Sequence, residues 1–269
     1  MDRLATADRL AGLAAVMAGA AAALGLFVPG LYRDAPFWAQ QAQGTDVATL
    51  FGAVPILLVS LWAARAGSLT GSLGAIAGVL YLIYNYAIFA FAVAVNPLLA
   101  VYIAILSLSV WSFSLTLFDG RTPRTPLPGL PRRTTAGVLI VVAVVFSLLW
   151  LSQIAAATLT GQIPVDLERA ELPTNPVWTL DLAFFLPLCL LAAAGLWRRA
   201  AAVGAFAFPM LIWLSLTSVG IVAAFVFATV GGDPLPVVPL VLVSAIGLVT
   251  GALAAYAVLR ARDAPAIPN

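Results

Sequence analysis

A chain of 269 residues, 63% of them apolar and 9% charged, with a mean hydropathy of +1.07, lies far outside the composition of soluble domains. Its formal charge of +2 sets thirteen arginines against eleven acids, with no lysine and no histidine. That excludes lysine Schiff-base chemistry, bis-histidine haem, a typical catalytic zinc and an imidazole proton shuttle. The lone cysteine, Cys189, can form neither an intrachain disulfide nor a dithiol redox pair, and it reads as a small apolar residue. No cofactor, metal site or nucleic-acid partner is expected.

About 20 mostly apolar residues suffice to cross a bilayer. In chain order the predicted spans are residues 10–29, 47–64, 71–95, 98–118, 136–157, 177–197, 203–230 and 236–259. The first apolar run reaches Pro29, longer than a signal core, and is expected to stay as a span. Between the first two spans, Asp34 and Pro36 predict a short interfacial helix that Gly44 ends. Asp46 is then expected to cap the second span, a role compatible with lining a pocket. The third span carries the stripe Tyr81, Asn85, Phe89, Ala92 and Asn96 on one helical face, beside Tyr84 and Tyr86. Residues 120–135, rich in proline and arginine, form a connector. Residues 165–172 predict a second short amphipathic turn. Asn175-Pro176 then reads as a helix start that leaves Asp181 inside the sixth span, too deep to be its cap.

Arginine divides the gaps sharply. Arg33 and Arg169 lie after the first and fifth spans; the other eleven flank the termini and the alternate gaps. By the positive-inside rule both termini face the cytoplasm of the cell inner membrane. The connector separates two groups of four spans, residues 1–119 and 136–269, which echo each other in loop lengths and in Asn96-Pro97 and Asp233-Pro234. An even number of spans makes such a duplication parallel. Small residues at four-residue spacing mark helix contacts at Ala15, Gly19 and Ala23, at Gly74 and Gly78, and at Gly247, Gly251 and Ala255.

Gly44-Thr45-Asp46, Leu50 and Pro55, followed by Tyr81, Tyr84-Asn85-Tyr86, Asn96-Pro97 and Tyr102, resemble an uncharacterised group of bacterial multi-pass membrane proteins. The resemblance covers roughly residues 31–115. It implies a common fold and no activity.

The expected fold class is therefore an all-α integral membrane protein of eight transmembrane helices in contact with the lipid bilayer. Acids, aromatics and amides at similar depth nominate Asp46, Tyr81, Tyr84, Asn85, Asn96 and Asp181 as a ligand-binding set opening outward between the two groups. In that reading Asp181 takes a cationic group or a proton, and the protein binds or transports a small molecule. A non-catalytic scaffold, as a homo-oligomer or a subunit of a membrane complex, is the alternative; its polar residues only join helices. A third reading, a lipid-modifying intramembrane enzyme, needs Asp46 and Asp181 together in one pocket.

Overall fold

The computed structural model describes residues 3–118 and 124–262. Residues 119–123, which hold the start of the connector and Arg121 of the orientation count, lie outside the described residues, as do 1–2 and 263–269. Among the described residues, eight helices are long and apolar enough to cross a membrane, as the hydropathy requires. They are α1 (Arg3–Phe27), α2 (Pro36–Arg65), α3 (Leu69–Ala92), α4 (Leu99–Phe118), α5 (Arg132–Thr160), α7 (Pro176–Trp197), α8 (Ala201–Val230) and α9 (Val237–Arg262). A short helix, α6 (Val165–Ala170), follows α5 where the amphipathic turn was expected.

The apolar pattern decides which helix lies inside. In α3, 72% of the most apolar window is buried; in α5 and α9 only 17% is, so these two give most of their surface to lipid. Around α3 the bundle closes through α1 on α4, α2 on α3, α5 on α7, and α8 on α2, α3 and α9. With hydrocarbon on both sides of the balance, close backbone approach rather than water exclusion drives this association. Gly74 and Gly78 meet Ser60 and Leu57 of α2, and Gly247 and Gly251 meet Ser218 and Ser215 of α8. A hydrogen bond of 3.3 Å from Ser215 Oγ to the Gly247 carbonyl reinforces the latter seam.

Two expectations are corrected here. Gly44 does not end a helix: α2 runs unbroken from Pro36, and Asp46 lies ten residues inside it rather than at its cap. Proline at the first helical position starts α2, and Gly44 serves contact instead, since a Cβ there would overlap the Ala224 backbone of α8. The stripe on α3 also stops early. The helix closes at Ala92, Val93 is extended, and Asn96 belongs to the start of α4.

Both helices that carry a membrane acid are locally widened. Thr49–Ala53 in α2 and Asp181–Phe185 in α7 form π turns, in which Val54 N–H and Leu186 N–H bond the Thr49 and Asp181 carbonyls. Pro55 and Pro187 stand two residues after each turn. Proline has no N–H to give and its ring crowds the preceding turn, so one extra residue relieves the clash without breaking the helix.

The described part of the connector is not a free linker. Leu127 and Leu130 are buried, Pro126 touches Gly204, and Gly129, at φ +81°, sits against Arg260. This binds the inner ends of α5, α8 and α9 into one surface.

Candidate functional site

Asp46 and Thr49 in the N-terminal half of α2 and Asn85 in the C-terminal half of α3 are buried polar groups, with the buried Tyr81 beside them. Thr45 and Thr49 occupy successive turns of α2, and each hydroxyl bonds back to the carbonyl three or four residues earlier, at 2.8 Å. Tyr81 of α3 reaches across to both. Its hydroxyl lies 3.3 Å from the Thr45 carbonyl and 3.3 Å from Thr49 Oγ1. Asn85, one turn further along α3, donates Nδ2 to Thr49 Oγ1 at 3.3 Å. The π turn begins at Thr49, so the widened segment of α2 faces this cluster.

Beside the cluster lies a partly open cavity of about 90 Å³, walled by Trp38, Thr45, Tyr81, Tyr84, Asn85 and Phe89, with Thr217 and Gly220 of α8 on the far side. Since about 10–15 Å³ holds one water, this volume takes a few waters or one very small solute, well short of a drug-sized ligand. Thr217 Oγ1 is buried without a protein partner. Trp38 closes the outer end, its indole donating to the Ala92 carbonyl at 2.7 Å. No charged side chain lines the space.

The nominated residues therefore separate. Tyr81, Tyr84 and Asn85 share the cavity wall; Asp46, Asn96 and Asp181 do not line it. Asp46, 1% exposed, accepts from the Tyr32 hydroxyl, and Gly25 of α1 backs both groups so tightly that a Cβ would overlap them. Asn96 is used twice at the start of α4: Oδ1 accepts from Leu98 N–H at 2.9 Å and Nδ2 donates to the Ala94 carbonyl at 3.2 Å. Asp181 accepts from the Trp150 indole of α5 at 2.9 Å through Oδ2, while Oδ1 is buried without a hydrogen bond. Tyr84 links the Asp181 side to the cavity. It stands edge-on to Phe185 and Trp213, at 4.8 and 5.2 Å, and those two rings stack on each other.

Thr49 and Thr217 did not stand out in the sequence, where Trp38 marks only the membrane interface. Threonine is unremarkable in membrane helices, and only the α2–α8 crossing brings Thr217 opposite Asn85. The small residues Gly44 and Gly220, which allow that crossing, were the available signal.

The outer loops are tied over this region. Arg169 of α6 bonds Asp233 at 2.6 Å and lies 4.3 Å above the Phe37 ring of α2. Asp34 receives the Ala94 amide at 2.7 Å, while its second oxygen is buried and unpartnered. Burial holds the Asp34 carboxyl above its ordinary range, with the Ala94 N–H opposing the shift. Burial, reinforced by the neighbouring Asp46, likewise pushes the Tyr32 hydroxyl up.

No family of known proteins, no curated protein and no solved structure matches this chain. What the sequence and the helices establish together is a multi-pass, all-α protein whose spans meet the lipid bilayer.

Proposed function

We propose that this protein binds or transports a small, uncharged solute through the cavity between α2, α3 and α8, opening toward the outer face. The observation that carries this reading is the cavity itself. It offers neutral hydroxyls and an amide in a wall otherwise made of apolar and aromatic side chains. Such a site favours a ligand with one or two hydrogen-bonding groups and no charge, because an ion would find no counter-charge there. Asp46 and Asp181 then serve the site by anchoring α2 to the loop after α1, and α7 to α5, rather than by touching the solute.

The two groups of four spans are further read as parallel repeats. Each second helix has a π turn ending two residues before a proline, and each holds an acid bonded to an aromatic donor from the first helix or the loop after it. The cavity lies where helices of both groups meet.

The test uses the chain's single native thiol. In a Cys189→Ala background, Thr217→Cys should be modified by methyl methanethiosulfonate applied from the outer face, and acetamide or glycerol should slow the reaction severalfold. Absence of any modification would remove the cavity from consideration. Modification without protection would leave an access path and no binding site.

The scaffold reading has its own support, since Asp46, Asn96 and Asp181 are all engaged in internal hydrogen bonds. It expects Asn85→Leu to lower thermal stability, and acetamide to give Thr217→Cys no protection.

A further inference from the structure

Five exposed arginines gather at the end of the bundle away from the cavity between α2, α3 and α8. Arg132 and Arg133 open α5, Arg198 and Arg199 follow α7, and Arg124 stands in the connector. Their common depth follows from one contact. The Trp150 indole meets Asp181 at 2.9 Å, joining the late part of α5 to the early part of α7, so these two helices pack antiparallel. Arg133 lies 17 residues before Trp150, and Arg198 lies 17 residues after Asp181. At a rise of about 1.5 Å per residue both pairs sit about 25 Å from that contact, one helix spacing of about 8–10 Å apart. Pro126 touches Gly204, which packs on Gly195 of α7, and this brings Arg124 to the same end.

None of the five makes an ion pair with a described acid; the ion pair among the described residues joins Arg169 to Asp233 at the other end. Like charges at this spacing, close to the Debye length of about 8 Å in physiological salt, still repel one another. Arg199 is unusual in a second way. It takes φ +58° just past the end of α7, where the Ala200 N–H closes on the Gly195 carbonyl at 2.9 Å. Glycine is the usual residue at that point of such a helix ending. The chain thus places a guanidinium where the backbone favours glycine and where positive charge is already in excess. Trp197, 71% exposed, stands beside it in the sequence.

We propose that this patch holds the phosphate of one anionic phospholipid, on the side that arginine placement assigns to the cytoplasm. Guanidinium groups from α5 and α7 take the phosphate oxygens, since the planar fork of N–H donors matches two of them at once. The surroundings select a lipid over a soluble anion. The arginines lie at helix ends, at headgroup level, and an exposed tryptophan belongs there because its ring seeks the acyl boundary while its N–H meets polar atoms. A zwitterionic headgroup is a poorer occupant, because its own ammonium competes for the phosphate. Orientation of the chain accounts for positive charge at this end, but not for an arginine in a glycine conformation.

The experiment titrates palmitoyl-oleoyl phosphatidylglycerol and the matching phosphatidylcholine into the full-length protein in dodecyl maltoside. Bound lipid is counted by native mass spectrometry, and melting is followed by intrinsic fluorescence. Phosphatidylglycerol should saturate at one per chain, bind about tenfold more tightly than phosphatidylcholine, and weaken as salt rises. Arg133→Gln combined with Arg198→Gln should abolish that preference. Arg169→Gln, which removes a positive charge at the other end, should retain it. Arg199→Gly should weaken phosphatidylglycerol binding severalfold yet melt no lower than the parent without lipid, because glycine suits that backbone. Equal binding of the two lipids, binding without saturation, or equal losses in Arg169→Gln and the double variant would overturn the assignment. If the double variant fails to fold, the lipid comparison and Arg199→Gly still decide it.

Discussion

A carboxylate inside a bilayer must be answered by donors or counter-charge, and this chain answers with aromatics. Asp181 has one donor, the Trp150 indole at 2.9 Å, and its other oxygen has none. Removing that donor leaves a buried acid unsatisfied, a loss of about 1–3 kcal/mol. Trp150→Phe should therefore lower the unfolding free energy in mixed micelles by that amount. Trp150→Phe combined with Asp181→Leu should lose less than Trp150→Phe alone, because no orphan remains. Equal losses would show that the bond carries none of the stability. Asp34 makes a second case, outside the spans. Its pKa is raised by burial, so the folded state holds the proton more tightly than the unfolded chain. The stability this gives is complete below the ordinary carboxyl pKa of about 3.9 and is lost as pH rises through the higher folded value. Asp34→Asn keeps an oxygen for the Ala94 amide and cannot ionise. Melting temperatures between pH 4 and 8 should fall with pH in the parent and stay flatter in the variant.

At the scale of elements, hydropathy gave the eight spans because crossing a bilayer is a matter of local length and apolar content. Contact geometry was harder to read. Gly44 fits either a helix stop or a close crossing, and the choice depends on Ala224, which lies 180 residues away in the chain. The same ambiguity hid the depth of Asp46 and the place of Thr217. Gly44→Ala tests the crossing. An uncrowded glycine inside a helix would gain up to about 1 kcal/mol from alanine, whereas a crossing filled by the Ala224 backbone should lose about 1–3 kcal/mol through overpacking. The π turns were invisible for a related reason: proline announces a disturbed helix, but a kink and an inserted residue relieve the same clash. Tyr81, Tyr84 and Asn85 were legible as one face because four-residue spacing on a single helix needs no knowledge of the partners. Asn96 continued that arithmetic past the point where α3 had ended.

For the whole molecule, the direction in which the cavity opens rests on arginine placement, since guanidinium groups are strongly disfavoured in transit through hydrocarbon. Arg65, Arg198 and Arg199 follow α2 and α7, and Arg132 and Arg133 open α5, so these ends share one side of the bundle if consecutive spans alternate. Trp38, the cavity and the clamp of Arg169 on Asp233 and Phe37 belong to the opposite side. The chain is well suited to a direct check because its one thiol, Cys189, is wholly buried. In the Cys189→Ala background, Glu171→Cys at the end of α6 should react with a membrane-impermeant maleimide on intact cells. Ala66→Cys, in the turn after α2, should react only once the membrane is opened. The reverse pattern would turn the bundle over and place the cavity mouth on the cytoplasmic side.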